Sequence, residues 1–373
     1  MSVDVVVVGG GAIGLASAWR LARQGLDVTV VDPEPGSGAS VVAAGMLAPV
    51  TEARIGEEAL LQLGLESLAA WPDFAAEVEE ASGLPVGFRS DGTLVVAYDG
   101  DDRAAVADLV DRQRSLGLEV DDLSARDLRA AEPALAPSVR RGFRAAGERS
   151  VDPPALVAAL LVAAERAGVT FVRQRVRNLD TSGAMATSSV EVSGVVLEDG
   201  ATLAAPRVVL AAGAWSGDLA DVPVRPVKGQ VLTLRPRAGD ELLHHVVRAH
   251  VRGSIGYLVP RNDGRIVCGA TVEERGWDAT PTAGAAYELL RDVLTLFPGL
   301  DDAELVGITV GFRPGTSDDL PRIGPSPDVE GLILATGHYR NGILLTPLTA
   351  DRIVAAVTAA PGDGAALTSE VAP

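Results

Sequence analysis

Apolar and polar positions along the chain change period in a way that lays out its elements. Val3–Val8 is a β-branched run broken only by Asp4, which suits a parallel strand buried on both faces. Leu15–Arg23 then reads as a helix closed by Gly25, and Asp27–Val31 as a second strand ending at Asp32. Further on, PPALVAALLVAAERAG (153–168) predicts a helix, with Asp152 placed to cap it and two prolines at its start. VTFVRQRVRNL (169–179) suggests a strand, and RVVLAAGAWS (207–216) a strand running into a glycine turn. GYLVPRNDGRIVCGAT (256–271) reads as a hairpin turning at Asn262-Asp263-Gly264. Asp99–Asp102 and Thr181–Ser189 read as exposed turns, the tail from Ala360 as poorly ordered, and no internal repeat is visible.

Composition narrows the class. A chain of 373 residues with 47% hydrophobic content is expected to form two domains or one elaborated α/β domain around a large core. A formal charge of −18 argues against nucleic acid and anionic membrane surfaces as partners. The single cysteine, Cys268, precludes an internal disulfide and a multi-cysteine metal site, and suits a reducing, cytoplasmic setting. The first residues carry no basic region, and no apolar run reaches the roughly 20 residues of a membrane helix. Of 32 basic residues, only Lys228 is a lysine.

The first candidate chemistry lies between the first two strands. Gly9, Gly11 and Gly14 complete G-x-G-x-x-G where a strand meets a helix, and Asp32 ends the next strand at about the expected 20-residue spacing. The glycines allow a tight turn and close backbone approach, the helix N-terminus offers amide donors to phosphates, and Asp32 can accept from a ribose 2′-hydroxyl. A dinucleotide follows, and the fingerprint alone does not separate NAD from FAD. The next stretch, PGSGASVVAAGMLAPVTE (35–52), offers the small residues Gly38, Ala39, Ser40, Ala43, Ala44 and Gly45, against which an extended ligand can lie.

At this point the chain resembles the D-amino-acid oxidase family of FAD-dependent amine oxidases, in its GxxAS…AG segment after the second strand. AAGMLAP is most similar to the glycine-oxidase branch associated with thiamine biosynthesis. The likeness continues through the VDP turn at 151–153, RVVLAAGAWS, RPVKGQVLTL (225–234), GFRPG (311–315) and GLILATGHYRNGILLTPLTADRIV (331–354), in the family's order. It implies an α/β fold: a Rossmann-type, glutathione-reductase-like FAD-binding domain with a second, mostly antiparallel-sheet substrate domain. The FAD domain would comprise about 1–85, 148–224 and 307–360, and the substrate domain 86–147 with 225–306.

The resemblance also implies a site. FAD, held without a covalent link, would meet Gly9, Gly11, Ala12, Ile13, Gly14, Asp32, Pro33, Ala39, Ser40, Ala44, Gly45, Met46, Val176 and Gly213. Beyond these would come His338, Tyr339, Arg340, Asn341, Gly342, Ile343 and Leu344. Related sarcosine oxidases place their flavin-linking cysteine near GFRPGT, where this chain has Phe312. A helix beginning around Asn341–Gly342 would aim its amide end at the ring. Arg313 coincides with the carboxylate-binding arginine, since a guanidinium fork matches a carboxylate through two parallel hydrogen bonds. Read from the residues alone, Arg313 is equally a surface group or a partner of Asp318 or Asp319. Arg340 and Tyr257 are the further substrate contacts, and His338 is expected to line the cofactor without acting as a base.

The implied activity is oxidative deamination of glycine, and of sarcosine or small D-amino acids, by hydride loss from the α-carbon. Oxygen would be the oxidant, and imine or glyoxylate, ammonia and hydrogen peroxide the products, the imine serving thiazole formation. The implied assembly is a homo-oligomer, a tetramer by resemblance. One alternative is an FAD-dependent D-amino-acid or N-methyl-amino-acid dehydrogenase delivering electrons to a quinone or carrier. Another is a non-catalytic or tRNA-modifying FAD protein, which the acidic chain disfavours.

Overall fold

The computed structural model describes residues 3–182 and 190–359. Of the stretch read as an exposed turn at 181–189, Thr181 and Ser182 end a strand, Val176–Ser182; the remainder and the tail from Ala360 lie outside the described residues.

Strand β1 (Val5–Val8) lies at the heart of a six-stranded sheet, every residue of it buried. It pairs in parallel with strand β2 (Val28–Val31) on one side and with Arg207–Leu210 on the other. Outward from these lie Leu332–Thr336 and Thr170–Val172, both parallel, and the antiparallel edge strand Arg322–Pro325. Valines alternate to opposite faces. Val5 and Val7 pack under helices α1 (Ala12–Arg23), Glu58–Ser82, Pro153–Arg166 and Thr346–Thr358. Val6 and Val8 pack against the smaller sheet built from Val176–Ser182 and Val190–Leu197. A run apolar on both faces is what this two-sided burial requires.

A second sheet has eight strands, in the order Glu304–Gly315, Arg225–Arg235, Ile266–Gly269, Ser254–Pro260, Val246–Val251, Thr93–Ala97, Arg141–Ala145 and Asp121–Ser124. All its pairings are antiparallel except that between Val246–Val251 and Thr93–Ala97. The α/β class, with a mostly antiparallel second sheet, is therefore observed. One face, with Leu94, Val247, Leu258 and Cys268, is covered by the helix Ala283–Leu296. The opposite face, with Val231, Val246, Val259 and Val267, packs on Ala44 and, more loosely, on Val42 and Met46. The small-residue segment thus joins the two sheets, and Arg261 ties it down by donating to Ala44 O (2.7 Å) and Val151 O (3.1 Å).

Several expectations need correction. Helix α1 starts at Ala12, one turn before Leu15. Asp99–Asp102 is no exposed turn: Asp99 caps the helix Gly100–Ser115 reciprocally with Asp102, and Asp102 is buried, accepting from Arg252 N and Gly253 N. Asp152 stands at its helix N-terminus without making a side-chain cap and turns toward Arg261 and Arg265. The regular helix after the glycine turn begins at Thr346, preceded by a turn over Gly342–Leu345. Pro347, in its first turn, marks that start, because proline lacks the N–H that a helix interior needs. The strand Glu304–Gly315 runs unbroken within the eight-stranded sheet, so the boundary expected at 307 falls inside it.

The long helix Glu58–Ser82 is pinned to the turn before Thr346. Fully buried Trp71 donates from Nε1 to Leu344 O at 2.8 Å, and Ser67 Oγ donates to the same oxygen at 2.6 Å. Trp71→Ala is expected to lower stability by about 4 kcal/mol, through lost packing and an emptied cavity, and Ser67→Ala by about 1 kcal/mol. Urea unfolding of both variants checks this; equal losses would mean that the hydrogen bond, and not the packing of the indole, does the pinning.

Candidate active site

A cavity of about 1570 Å³ runs between the two sheets, larger than the roughly 300–1,000 Å³ of ordinary small-molecule pockets. One end is the turn between β1 and α1. There the N–H groups of Gly11, Ile13 and Gly14 have no acceptor among the described residues, and Gly11 and Ile13 line the cavity. Ser40 Oγ accepts the Ala12 N–H at 3.0 Å, so its own hydroxyl proton stays free for a ligand. Asp32 accepts from Gly10 N and Glu34 N, each at 2.7 Å, and keeps lone pairs for a further donor. Gly14 is not part of the wall. Its α-carbon lies so close to Gly9 O that any side chain would collide, which is what lets α1 pack onto β1.

The middle of the cavity is lined by Pro33, Ala39, Ala44, Gly45, Met46, Val176 and Gly213. Gly45 has φ +77°, and a Cβ there would strike Val151 O, so backbone is all the site can present at that point. The sole thiol, Cys268, is buried on the far face of the eight-stranded sheet, and burial pushes it well up from the ordinary range. It does not line the cavity.

The far end is built on the eight-stranded sheet. Register places Arg248, Tyr257, Gly269 and Val231 in one row across four neighbouring strands. The Tyr257 ring lies over Gly269, occupying the space of a missing Cβ, and the Arg313 guanidinium does the same at Gly229. Arg313 Nη1 donates to Thr271 O (3.1 Å) and Lys228 O (3.4 Å). Asp318 pairs instead with Arg322. Arg313 therefore faces the cavity with neutral carbonyls as its acceptors. Burial holds the Tyr257 hydroxyl above its usual range, opposed by Arg313, so it remains a donor.

His338, Tyr339, Arg340, Gly342 and Ile343 close this end, whereas Asn341 and Leu344 turn toward a separate small crevice. Tyr339 adopts φ +47°, uncommon for a bulky residue, with its N–H on Pro314 O. Arg340 Nε is buried without an acceptor. The N–H groups of Gly342, Ile343 and Leu344 have no acceptor among the described residues, just ahead of the Thr346 helix. His338 Nε2 lies 2.9 Å from Thr349 Oγ1, and burial pushes its pKa down to about 3, so the ring is neutral.

Sequence reasoning missed the ion pair of Glu52 and Arg248 in this wall. Burial pushes the Glu52 carboxyl up, but Arg248 and Arg340 more than offset it and hold it below the ordinary range. The residues are 196 positions apart, and only the alternation of Arg248 and His250 with Val247, Ala249 and Val251 hinted at a polar face. Free amides at a helix N-terminus, an unclaimed serine hydroxyl, an acidic acceptor and unpaired cationic donors at the far end together fit FAD.

A family model described as FAD dependent oxidoreductase matches residues 4–356. The chain is 36% identical to the glycine oxidase of Pseudomonas putida, over 93% of this chain and 92% of that protein. It is also 36% identical to the bifunctional protein ThiO/ThiG of Synechocystis, over 93% of this chain and 50% of that protein, so it spans about half the length of such relatives. The crystal structure of glycine oxidase from Geobacillus kaustophilus superposes with a TM-score of 0.85 at 34% identity, covering 95% of this chain and 94% of that one. Among the described residues no helix is long and apolar enough to cross a membrane.

Behind the cavity wall, fully buried Glu148 accepts from Thr51 N (2.6 Å) and Thr51 Oγ1 (2.9 Å). Burial pushes its pKa up to about 7 from 4.5. Because the folded state holds this proton more tightly than the unfolded chain, the stability it contributes is complete below pH 4.5 and is lost as pH rises through 7. Relative to Glu148→Gln, the wild type should lose about 3 kcal/mol across that window. Melting curves from pH 4 to 8 test it, and parallel profiles for the two proteins would contradict it.

Proposed function

Because the chain belongs to the FAD-dependent oxidoreductase family of D-amino-acid oxidases, we propose that it oxidises glycine with dioxygen. The products are the imine, hydrolysed to glyoxylate and ammonia, and hydrogen peroxide. Sarcosine and small D-amino acids fall within the proposed range. The proposal includes supply of the glycine imine for thiazole formation in thiamine biosynthesis, a cytoplasmic setting, and the homo-oligomeric assembly that the family resemblance implies. Likeness to proteins named glycine oxidase supports the oxygen-using reading over a carrier-linked dehydrogenase.

Arg313 carries the proposal: it is a cation at the cavity wall whose acceptors are backbone carbonyls, in a protein of charge −18. Its guanidinium would take the substrate carboxylate, with the Tyr257 hydroxyl as a second donor. Bound FAD would supply the acceptor for the hydride leaving the α-carbon and the route by which the electron pair reaches oxygen. The chain's own part is to orient and to exclude water. Trp215, Phe312 and Val272 supply apolar wall, and the free amides of Gly342 and Ile343 present positive potential where negative charge would build.

Of the groups around Arg313, none of His338, Tyr257 and Glu52 is suited to take the substrate's ammonium proton near neutral pH, and His250, further along the same wall, is weakened as a base by burial and by Arg248. His338 titrates near 3, Tyr257 is held above its usual range, and the Glu52 carboxylate is stabilised by two arginines. In this proposal the substrate therefore reacts as the neutral amine.

Arg313→Ala should lower kcat/KM for glycine about 100-fold, roughly 3 kcal/mol, while an amine without a carboxylate loses little. Equal losses for both substrates would refute the carboxylate role. Turnover at limiting glycine should rise from neutral to alkaline pH with the deprotonated amine, and should do so equally in His338→Asn. A flat profile, or one altered by that substitution, would place a titrating base in the protein.

A further inference from the structure

The single lysine has no exposed side-chain surface, yet it lies beside two carboxylates. Lys228 Nζ donates to Thr280 O at 2.7 Å and to Asp278 Oδ2 at 3.4 Å, with Glu273 Oε2 at 3.8 Å. All three belong to the strap from Thr271 to Thr282, which leaves the strand Ile266–Gly269 and returns to the helix Ala283–Leu296. Glu273 also exchanges backbone hydrogen bonds with Lys228 and accepts from Thr271 Oγ1 (2.6 Å) and Gln230 Nε2 (2.7 Å). Further along the strap, Trp277 stacks on Trp215 at 4.7 Å and meets Phe312 edge-on at 5.2 Å. Trp215 and Phe312 are cavity wall.

The strap and the candidate carboxylate ligand share atoms. Arg313 donates to the carbonyl of Thr271, where the strap begins, and to that of Lys228 itself. We propose that Lys228 is a positioning residue for Arg313: by clasping the strap from inside, it fixes the Thr271 carbonyl and so the guanidinium's place in the cavity. The proposal rests on the reading of Arg313 as carboxylate ligand. Burying an ammonium costs several kcal/mol unless acceptors converge on it, and an apolar side chain would fill the same space at lower cost. Stability alone gives no reason for a charge here; a fixed strap does. A compact ammonium with three donors suits the small closed slot, where the planar fork of the other 31 basic residues (32 less this one) would need more room.

The test uses the FAD-loaded enzyme and two readouts. In Lys228→Met, trypsin should cut after Arg275, within the strap, about fivefold faster. The KM for glycine should rise about tenfold while that for ethylamine, which has no carboxylate, changes little. Asp278→Asn, which removes a half-exposed partner and leaves the buried slot filled, should give the same pattern more weakly and serves if Lys228→Met does not fold. Unchanged strap cleavage overturns the clasp. Faster cleavage with unchanged selectivity for glycine over ethylamine overturns the coupling to Arg313. Arg313→Ala run alongside separates the two readings: selectivity kept there sinks the carboxylate role itself, whereas selectivity lost there but kept in both strap variants sinks only the role of Lys228.

Discussion

Guanidinium groups held inside an acidic protein with no carboxylate hydrogen-bonded to them are the constraint on which the active end of this molecule depends. With 50 acidic residues available, arginines elsewhere are readily paired, as Arg322 is with Asp318 and Arg265 with Asp263. Arg313 is given carbonyls, and the Arg340 Nε is given nothing. Such groups are unfavourable in the free protein and favourable once an anion arrives, so binding energy is stored as incomplete solvation. The surroundings that tolerate this are rigid ones: a sheet whose register sets Arg248 beside Tyr257, and glycines at 229 and 269 that make room for large polar side chains.

The opposite end solves a different problem with similar means. There side chains are withheld at Gly11 and Gly45, which leaves backbone to meet the proposed ligand, and the Ser40 hydroxyl already links the small-residue segment to α1. Arg261, buried and lowered by that burial to a pKa of about 10, holds the same segment from behind. A charged residue thus acts here as mortar between two sheets, while Arg313, the proposed ligand, is left without a carboxylate partner.

Much of this was legible in the sequence because it is local. The valine run, the glycine spacing and Asp32 all lie within one βαβ unit, and the hairpin turning at Asn262-Asp263-Gly264 announces itself by its residues. What stayed hidden was long-range or ambiguous. Glu52 meets Arg248 across 196 positions, Thr51 meets Glu148 across 97, and no spacing rule reaches so far. Asp99–Asp102 was misread because an acidic tetrad reads as a solvated turn when its capping-box geometry is overlooked. The start of the final helix was misplaced because the glycine at 342 drew the boundary forward, although Pro347 marked it. Arg313 was singled out by resemblance; its carbonyl acceptors came only with the folded chain.

The position of Cys268 has a consequence for durability. A protein proposed to release hydrogen peroxide exposes its own sulfur atoms to the product at every turnover, and thiols oxidise as thiolates. Here the only thiol is protonated by burial and separated from the cavity by the thickness of a sheet. Among the described residues the sulfur left on the cavity wall is the thioether of Met46, whose first oxidation product is reversible. At the described cavity wall, the sulfur that meets the proposed product is thereby one that can be repaired.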